Sequence, residues 1–480
     1  MPRRPVRAAA AGVAAVVLAL AACTTTTSGH GLATLTASGA LTDQPPTAST
    51  SPTPVPTDCS TYAAPDPNRP QMVLRFTIAP DHRTVAGHEQ ITFRPDLPIT
   101  ELVFRLTANT RPTVDEGNKI VVTNATADNG AKHFTFTRAN AAASTQGGLL
   151  HIPFGRQLPA GTEVTANIDF IVTLGSNAFD RFGRSNGFAY FGSAEPLLAW
   201  ERGFGWHTEN LINFLAESAT SEAMSVDLTV TAPAKDIVIM SGDPADPPVT
   251  GATRTWHSVL DSARDVSVAA GPFAVSDSVV DGVKLRLGAY SMKIRDALVP
   301  QFHRAIVQLS KHFGPFPFPS LSVARLPAEG GGIEYPSSIL MLDGSRLVAV
   351  HETAHQWFYG MVGDSQALHP WLDEAFASYA EELVNRDRRP DKALKSPLPV
   401  DASTESYGFD VNAYYFTTYN KGADALFAAR AAAGPAKWDA AIRCYVATNA
   451  WRIANPIDLR NALSRLPAAV SALEQAGALH

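Results

Sequence analysis

His351, Glu352 and His355 form a His-Glu-x-x-His run that constrains the fold more tightly than any other feature of the 480-residue chain. Two imidazoles four positions apart meet at one point only if the run is helical, because about 3.6 residues complete a turn. Glu352, about a quarter turn round, then stands beside that point instead of on it, placed to take a proton from a water there. A catalytic metal ion needs a third protein ligand and one open position. Glu374 follows His355 after 18 intervening residues. It supplies that ligand if a second helix folds back against the first, with the reversal expected over Gly360 to Gly363.

The rest of the chain divides by its periodicity. Residues 60 to about 278 carry short β-branched and aromatic runs such as Met72 to Ile78, Gln90 to Phe93, Leu102 to Phe104 and Ser225 to Val230, separated by turn residues. Near Ser291 the pattern changes. Val299, Phe302, Ile306, Leu309 and Phe313 fall at helical spacing and Gly314-Pro315 stops that helix. Further helices are expected around Leu347 to Tyr359, around Asp373 to Asn385 and from near Tyr419, with strands at Leu321 to Ala324 and Ile339 to Met341. The fold class expected is α+β and multidomain: an all-β sandwich or saddle over 59–278, then a mainly helical domain over 279–480.

The N-terminus reads as an export signal. Arg3, Arg4 and Arg7 precede an apolar run, Ala8 to Leu20, too short to span a bilayer comfortably. Leu20-Ala21-Ala22-Cys23 resembles a bacterial lipobox, which assigns residues 1–22 to a lipoprotein signal peptide and makes Cys23 the lipidation site. Residues 23–58, rich in Thr, Ser and Pro, form a tether with nothing to build a core. The expected location is the outer face of the cell membrane. With 39 Lys and Arg against 45 Asp and Glu, the formal charge of -6 offers no basic surface, so nucleic acid is not an expected partner. Cys59 and Cys444 remain, and their spacing does not decide between a disulfide and two free thiols.

Two further segments carry candidate chemistry. Gly331 and Gly332, in Gly330-Gly331-Gly332-Ile333-Glu334-Tyr335, allow close backbone approach along an extended edge where Glu334 can meet a positive charge. Tyr419, in Tyr419-Asn420-Lys421-Gly422, offers a phenol for an oxyanion. Taken with Trp371-Leu372-Asp373-Glu374-Ala375-Phe376-Ala377 and Phe313-Gly314-Pro315-Phe316-Pro317, these runs resemble, in order, the motifs of the membrane alanyl aminopeptidase family of zinc gluzincins. The resemblance covers about residues 70 to 480 and implies a thermolysin-like catalytic domain acting on peptides. It implies one zinc ion on His351, His355 and Glu374, with Glu352 as base and Tyr419 as oxyanion donor. Glu334, Gly331 and Gly332 would bind substrate. Asp373 and Ala375 depart from the family's Asn and Gly, and Ile333 from its Met. The sequence ends soon after the catalytic region, so no counterpart of the large C-terminal helical domain that many members use is expected, and Glu195 is a weak match to the amine-binding glutamine. A zinc endopeptidase and a non-catalytic peptide- or cell-wall-binding lipoprotein are the alternatives.

Overall fold

The computed structural model describes residues 59–128, 133–177, 180–212, 220–387 and 393–480. The expected signal peptide, Cys23 and the tether lie outside the described residues. The first half is built from strands in which alternate residues are buried, as in Gln71–Ile78 and Val164–Thr173. A six-stranded sheet places Gln71–Ile78 between Thr84–Phe93 and Met224–Pro233. The pairing with Met224–Pro233 is parallel, so the region closes on itself across a long stretch of sequence. Its apolar face shares one core with a four-stranded sheet, where Leu74, Phe76 and Leu228 meet Leu102, Phe104 and Ile152. This is the expected β-sandwich.

A further four-stranded sheet, with Phe188–Gly192 beside Ser267–Gly271, joins the sandwich to the second half. Phe188, Tyr190 and Ile239 on it pack against Ile333, Tyr335 and Leu340. Those three belong to a five-stranded mixed sheet whose first strand is Ala274–Val280 and whose edge strand is Gly332–Tyr335. Residue 278 therefore falls inside the first strand of this sheet. Among the described residues the edge strand pairs with Ser338–Met341 alone, leaving one side open to an extended chain.

The helices follow the apolar spacing. Met292–Phe313 starts at Ser291, whose hydroxyl accepts from Ile294 N, and stops at Gly314 with φ of 104°. The motif helix Arg346–Ala354 is capped by Ser345 and ends at His355, short of the Tyr359 expected. The ligand helix Trp371–Asn385 matches expectation closely. Val350, Ala354 and Phe358 pack with Trp371, Ala375 and Phe376, locking the two helices together. The helix expected from Tyr419 starts earlier, at Val411, and Tyr415–Lys421 is a π-helical insert before Gly422–Ala433.

The reversal between motif and ligand helices does not use glycine freedom. Tyr359 takes the positive φ, 104°, while Gly360 and Gly363 do not. A bulky residue holds that conformation only when surrounding contacts impose it. Arg264 donates from Nε to Tyr359 O at 2.7 Å, and Tyr359 donates its hydroxyl to Asp265 at 2.6 Å. Both partners come from the β half, which thus fixes the turn behind the motif helix. Cys59 and Cys444 form a disulfide with Cα atoms 4.9 Å apart, pinning the start of the described chain to the helix Pro435–Thr448.

Candidate active site

His351 and His355 project from one face of the motif helix, with ring centroids 4.8 Å apart. The ligand helix delivers Glu374 between them, its Oε2 3.1 Å from His351 Nε2 and 3.5 Å from His355 Nε2. The three ligand atoms lie within 4.8 Å of one another. All three side chains are buried or nearly so, and each ring nitrogen facing away from this point is held by a further carboxylate. His355 Nδ1 contacts Asp373, and His351 Nδ1 lies 3.5 Å from Glu381. Asp373 Oδ2 accepts in turn from Gln366 at 3.2 Å.

This donor set fits a zinc ion. Imidazole and carboxylate are its usual ligands, and carboxylates behind the imidazoles orient them and raise their basicity. The charge count points the same way: Glu334, Glu352, Asp373 and Glu374 are four buried carboxylates around two imidazoles. Burial pushes the Glu352 carboxyl up to about 7 and the Glu334 carboxyl up to about 8. Burial resists charge on His351, but Glu374 and Glu381 outweigh it and raise the imidazole to about 10. Burial also resists the ionised form of Glu374, and His355 and His351 together pull it well below the usual carboxylate range. Carboxylates buried this close together favour a cation among them.

A cavity of about 450 Å³ opens onto this point, and its walls include Gly331, Gly332, Glu334, His351, Glu352, His355, Glu374 and Tyr419. Every candidate site residue of the described chain except Glu195 is therefore brought together. Gly332 has a steric reason to be glycine, since a Cβ there would overlap the Glu352 side chain. One Glu352 oxygen is buried with no hydrogen-bond partner among the described residues. Glu334 lies on the edge strand, 3.7 Å from the buried Arg181 guanidinium, and accepts from Gln366 at 3.4 Å. The Tyr419 ring is nearly parallel to that of His351, with centroids 5.9 Å apart. The π-helical turn that carries it is anchored by Lys421, which is buried and donates to Ser396 O and Leu398 O. Gly422, the next residue, has no room for a Cβ against Ala375.

Glu195 is not part of this cavity. It is buried in the β half, accepts from Val266 N at 3.2 Å, and burial beside Asp265 pushes its carboxyl up to about 8. Asp180, from the same half, lines the cavity instead. Asp373 and Glu381 sit behind the histidines, although a glutamate at 381 reads in sequence as a solvated helix residue. On the ligand helix they stand one residue before and two turns after Glu374, a spacing that does not by itself single them out.

Residues 337–476 match the peptidase family M1 domain. Curated relatives include Aminopeptidase M1-B of Oryza sativa subsp. japonica, 26% identical over 30% of this chain and 20% of its own. Aminopeptidase M1-C of the same plant is 23% identical over 48% of this chain and 31% of its own. The chain thus aligns with less than a third of the length of these relatives. Among solved structures, an M1 zinc metallopeptidase from Deinococcus radiodurans has a TM-score of 0.63 at 20% identity, over 87% of this chain and 95% of its own. A mutant of it bound to a Tyr-Ser-Ala substrate gives the same score and identity over 86% and 95%.

Proposed function

We propose that this chain is a zinc-dependent aminopeptidase: residues 337–476 match the peptidase family M1 domain, and the fold resembles that of an M1 zinc metallopeptidase from Deinococcus radiodurans. The observation that carries the reading is the convergence of His351, His355 and Glu374 at the floor of a cavity that Glu334 and a free strand edge also border. His351, His355 and Glu374 would hold zinc, which supplies a Lewis acid to polarise the scissile carbonyl and acidify water.

The chain's own residues divide the remaining work. The free side of Gly332–Tyr335 pairs with the substrate backbone and holds it extended. Glu334 pairs with the substrate's α-ammonium, so that the first peptide bond is the one presented to Glu352. Glu352 takes a proton from the attacking water and returns it to the leaving amine. Tyr419 donates its hydroxyl to the oxygen on which negative charge develops. Asp373 and Glu381 hold the two imidazoles in the tautomers that leave Nε2 of each facing Glu374.

The reading also includes export and anchoring by a lipid on Cys23, after removal of residues 1–22, with residues 23–58 as a spacer to the membrane. The disulfide supports an oxidising compartment. No described helix is long and apolar enough to cross a membrane. Mass spectrometry of the mature N-terminus tests this part, and a chain beginning at Met1 without lipid rejects it.

The test of the activity compares a free peptide with its N-acetylated form, with and without chelator. Cleavage of the free peptide alone, abolished by chelation, is expected. Equal cleavage of the blocked peptide instead assigns an endopeptidase.

A further inference from the structure

Glu334 is held from behind by two residues that the proposed reaction does not use. Both reach the same oxygen: Arg181 Nη2 lies 3.7 Å from Glu334 Oε1, and Gln366 Nε2 donates to Oε1 at 3.4 Å. Glu334 is 3% exposed, yet it lines the cavity, and among the described residues no hydrogen bond engages its Oε2. A buried carboxylate with one oxygen fixed and the other open is a receptor for a charged donor inside the cavity.

The guanidinium is itself held, and by the β half. Arg181 O accepts from Gly192 N at 3.0 Å, where the pairing of Phe182–Ser185 with Phe188–Gly192 begins. Its Nη1 donates to the Tyr335 hydroxyl at 3.3 Å, and its Nε lies 3.9 Å from Asp180 Oδ2. The Tyr335 ring fits there because Gly192 has no Cβ, which would overlap it. Arg181 is buried and does not line the cavity, so it meets Glu334 and not a substrate. A planar fork of donors restrains the orientation of a carboxylate as well as offsetting its charge. Gln366 adds a link to the metal end. The same Nε2 donates to Asp373 Oδ2 at 3.2 Å, and Asp373 contacts His355. The backbone of the edge strand is fixed from just past the motif helix, where Gln356 donates to Tyr335 O at 3.0 Å and accepts from Ser337 N at 2.9 Å.

We propose that Arg181 and Gln366 are positioning residues that pin Glu334 by Oε1 and turn Oε2 alone toward the α-ammonium of the substrate. The proposal rests on the aminopeptidase reading above. Recognition of the free amine is then separable from binding at the metal, because the contacts of Arg181 run to Glu334, Tyr335 and Asp180 and not to His351, His355 or Glu374.

Alanine hydroxamate and propionohydroxamate chelate zinc through the same group and differ only in the α-ammonium, so together they isolate the effect. Their dissociation constants for the zinc-loaded full chain are measured by calorimetry. Alanine hydroxamate is expected to bind the wild type about tenfold or more tighter, the scale of a hydrogen bond to a charged group. In Arg181→Met the ratio should contract toward one while propionohydroxamate binds as before, and Arg181→Lys should recover part of it. A ratio that Arg181→Met leaves unchanged overturns the proposal and leaves the aminopeptidase reading standing; equal weakening of both ligands is that same result and marks a merely structural role. If Arg181→Met does not fold, Gln366→Met decides by the same ratio, because it removes the other donor to Oε1, and an unchanged ratio there overturns the proposal too. A wild-type ratio near one defeats the aminopeptidase reading itself, and the proposal with it.

Discussion

Glu352 and Tyr419 are the two residues whose chemistry can be removed by a single atom or group without disturbing the helices that carry them. Glu352→Gln keeps the shape but not the proton acceptor, so zinc content should be retained while hydrolysis is lost. Turnover near that of the wild type contradicts the base role. Tyr419→Phe removes one hydroxyl and should lower kcat by about 10²-fold with KM little changed. An unaltered kcat would make Tyr419 a packing residue against His351. Asp373→Ala should weaken zinc binding by about 10- to 100-fold, read by competition with a chromophoric chelator. At this scale the sequence was informative about the ligands, because helical geometry forces His351 and His355 onto one face. It was silent about Asp373 and Glu381, because nothing in the spacing reveals which ring nitrogen each histidine turns toward the ligand helix.

Between elements, the tightest dependence is that of the edge strand on the motif helix. Gly332→Ala would place a methyl group within the Glu352 side chain. The expected result is a loss of kcat of about 10²-fold, the cost of misplacing a reacting group by about an ångström, with zinc still bound. Wild-type kinetics in that variant would mean that the strand yields and does not set the position of the base. The strands and the long helix were legible because their apolar residues repeat at two or at 3.6 positions. The π-helical turn of Tyr415–Lys421 was not, since one extra residue in a turn leaves too little pattern to read. Nor was the strained turn at Tyr359. Glycines at 360 and 363 suggested the reversal, whereas the conformation is imposed by Arg264 and Asp265, nearly a hundred residues earlier in the chain.

Across the whole molecule, long-range contacts decide what sequence patterns cannot. The parallel pairing of Gln71–Ile78 with Met224–Pro233 and the bridge between Cys59 and Cys444 join segments whose spacing carries no signal. The bridge closes nearly the entire described chain, with a sequence separation of 385. Its reduction should lower the unfolding free energy by about 2–5 kcal/mol, measured by denaturant titration with and without reductant. An unchanged midpoint would show that the start of the described chain is held by other contacts. The proposed zinc centre is where both halves, both helices and the edge strand have to be right together. Elemental analysis of dialysed, folded protein alongside its Glu374→Ala variant tests that convergence most directly. The account predicts one zinc per chain in the wild type and its loss in the variant. Zinc-supplemented wild type that binds none, or a variant that retains it fully, would contradict the account.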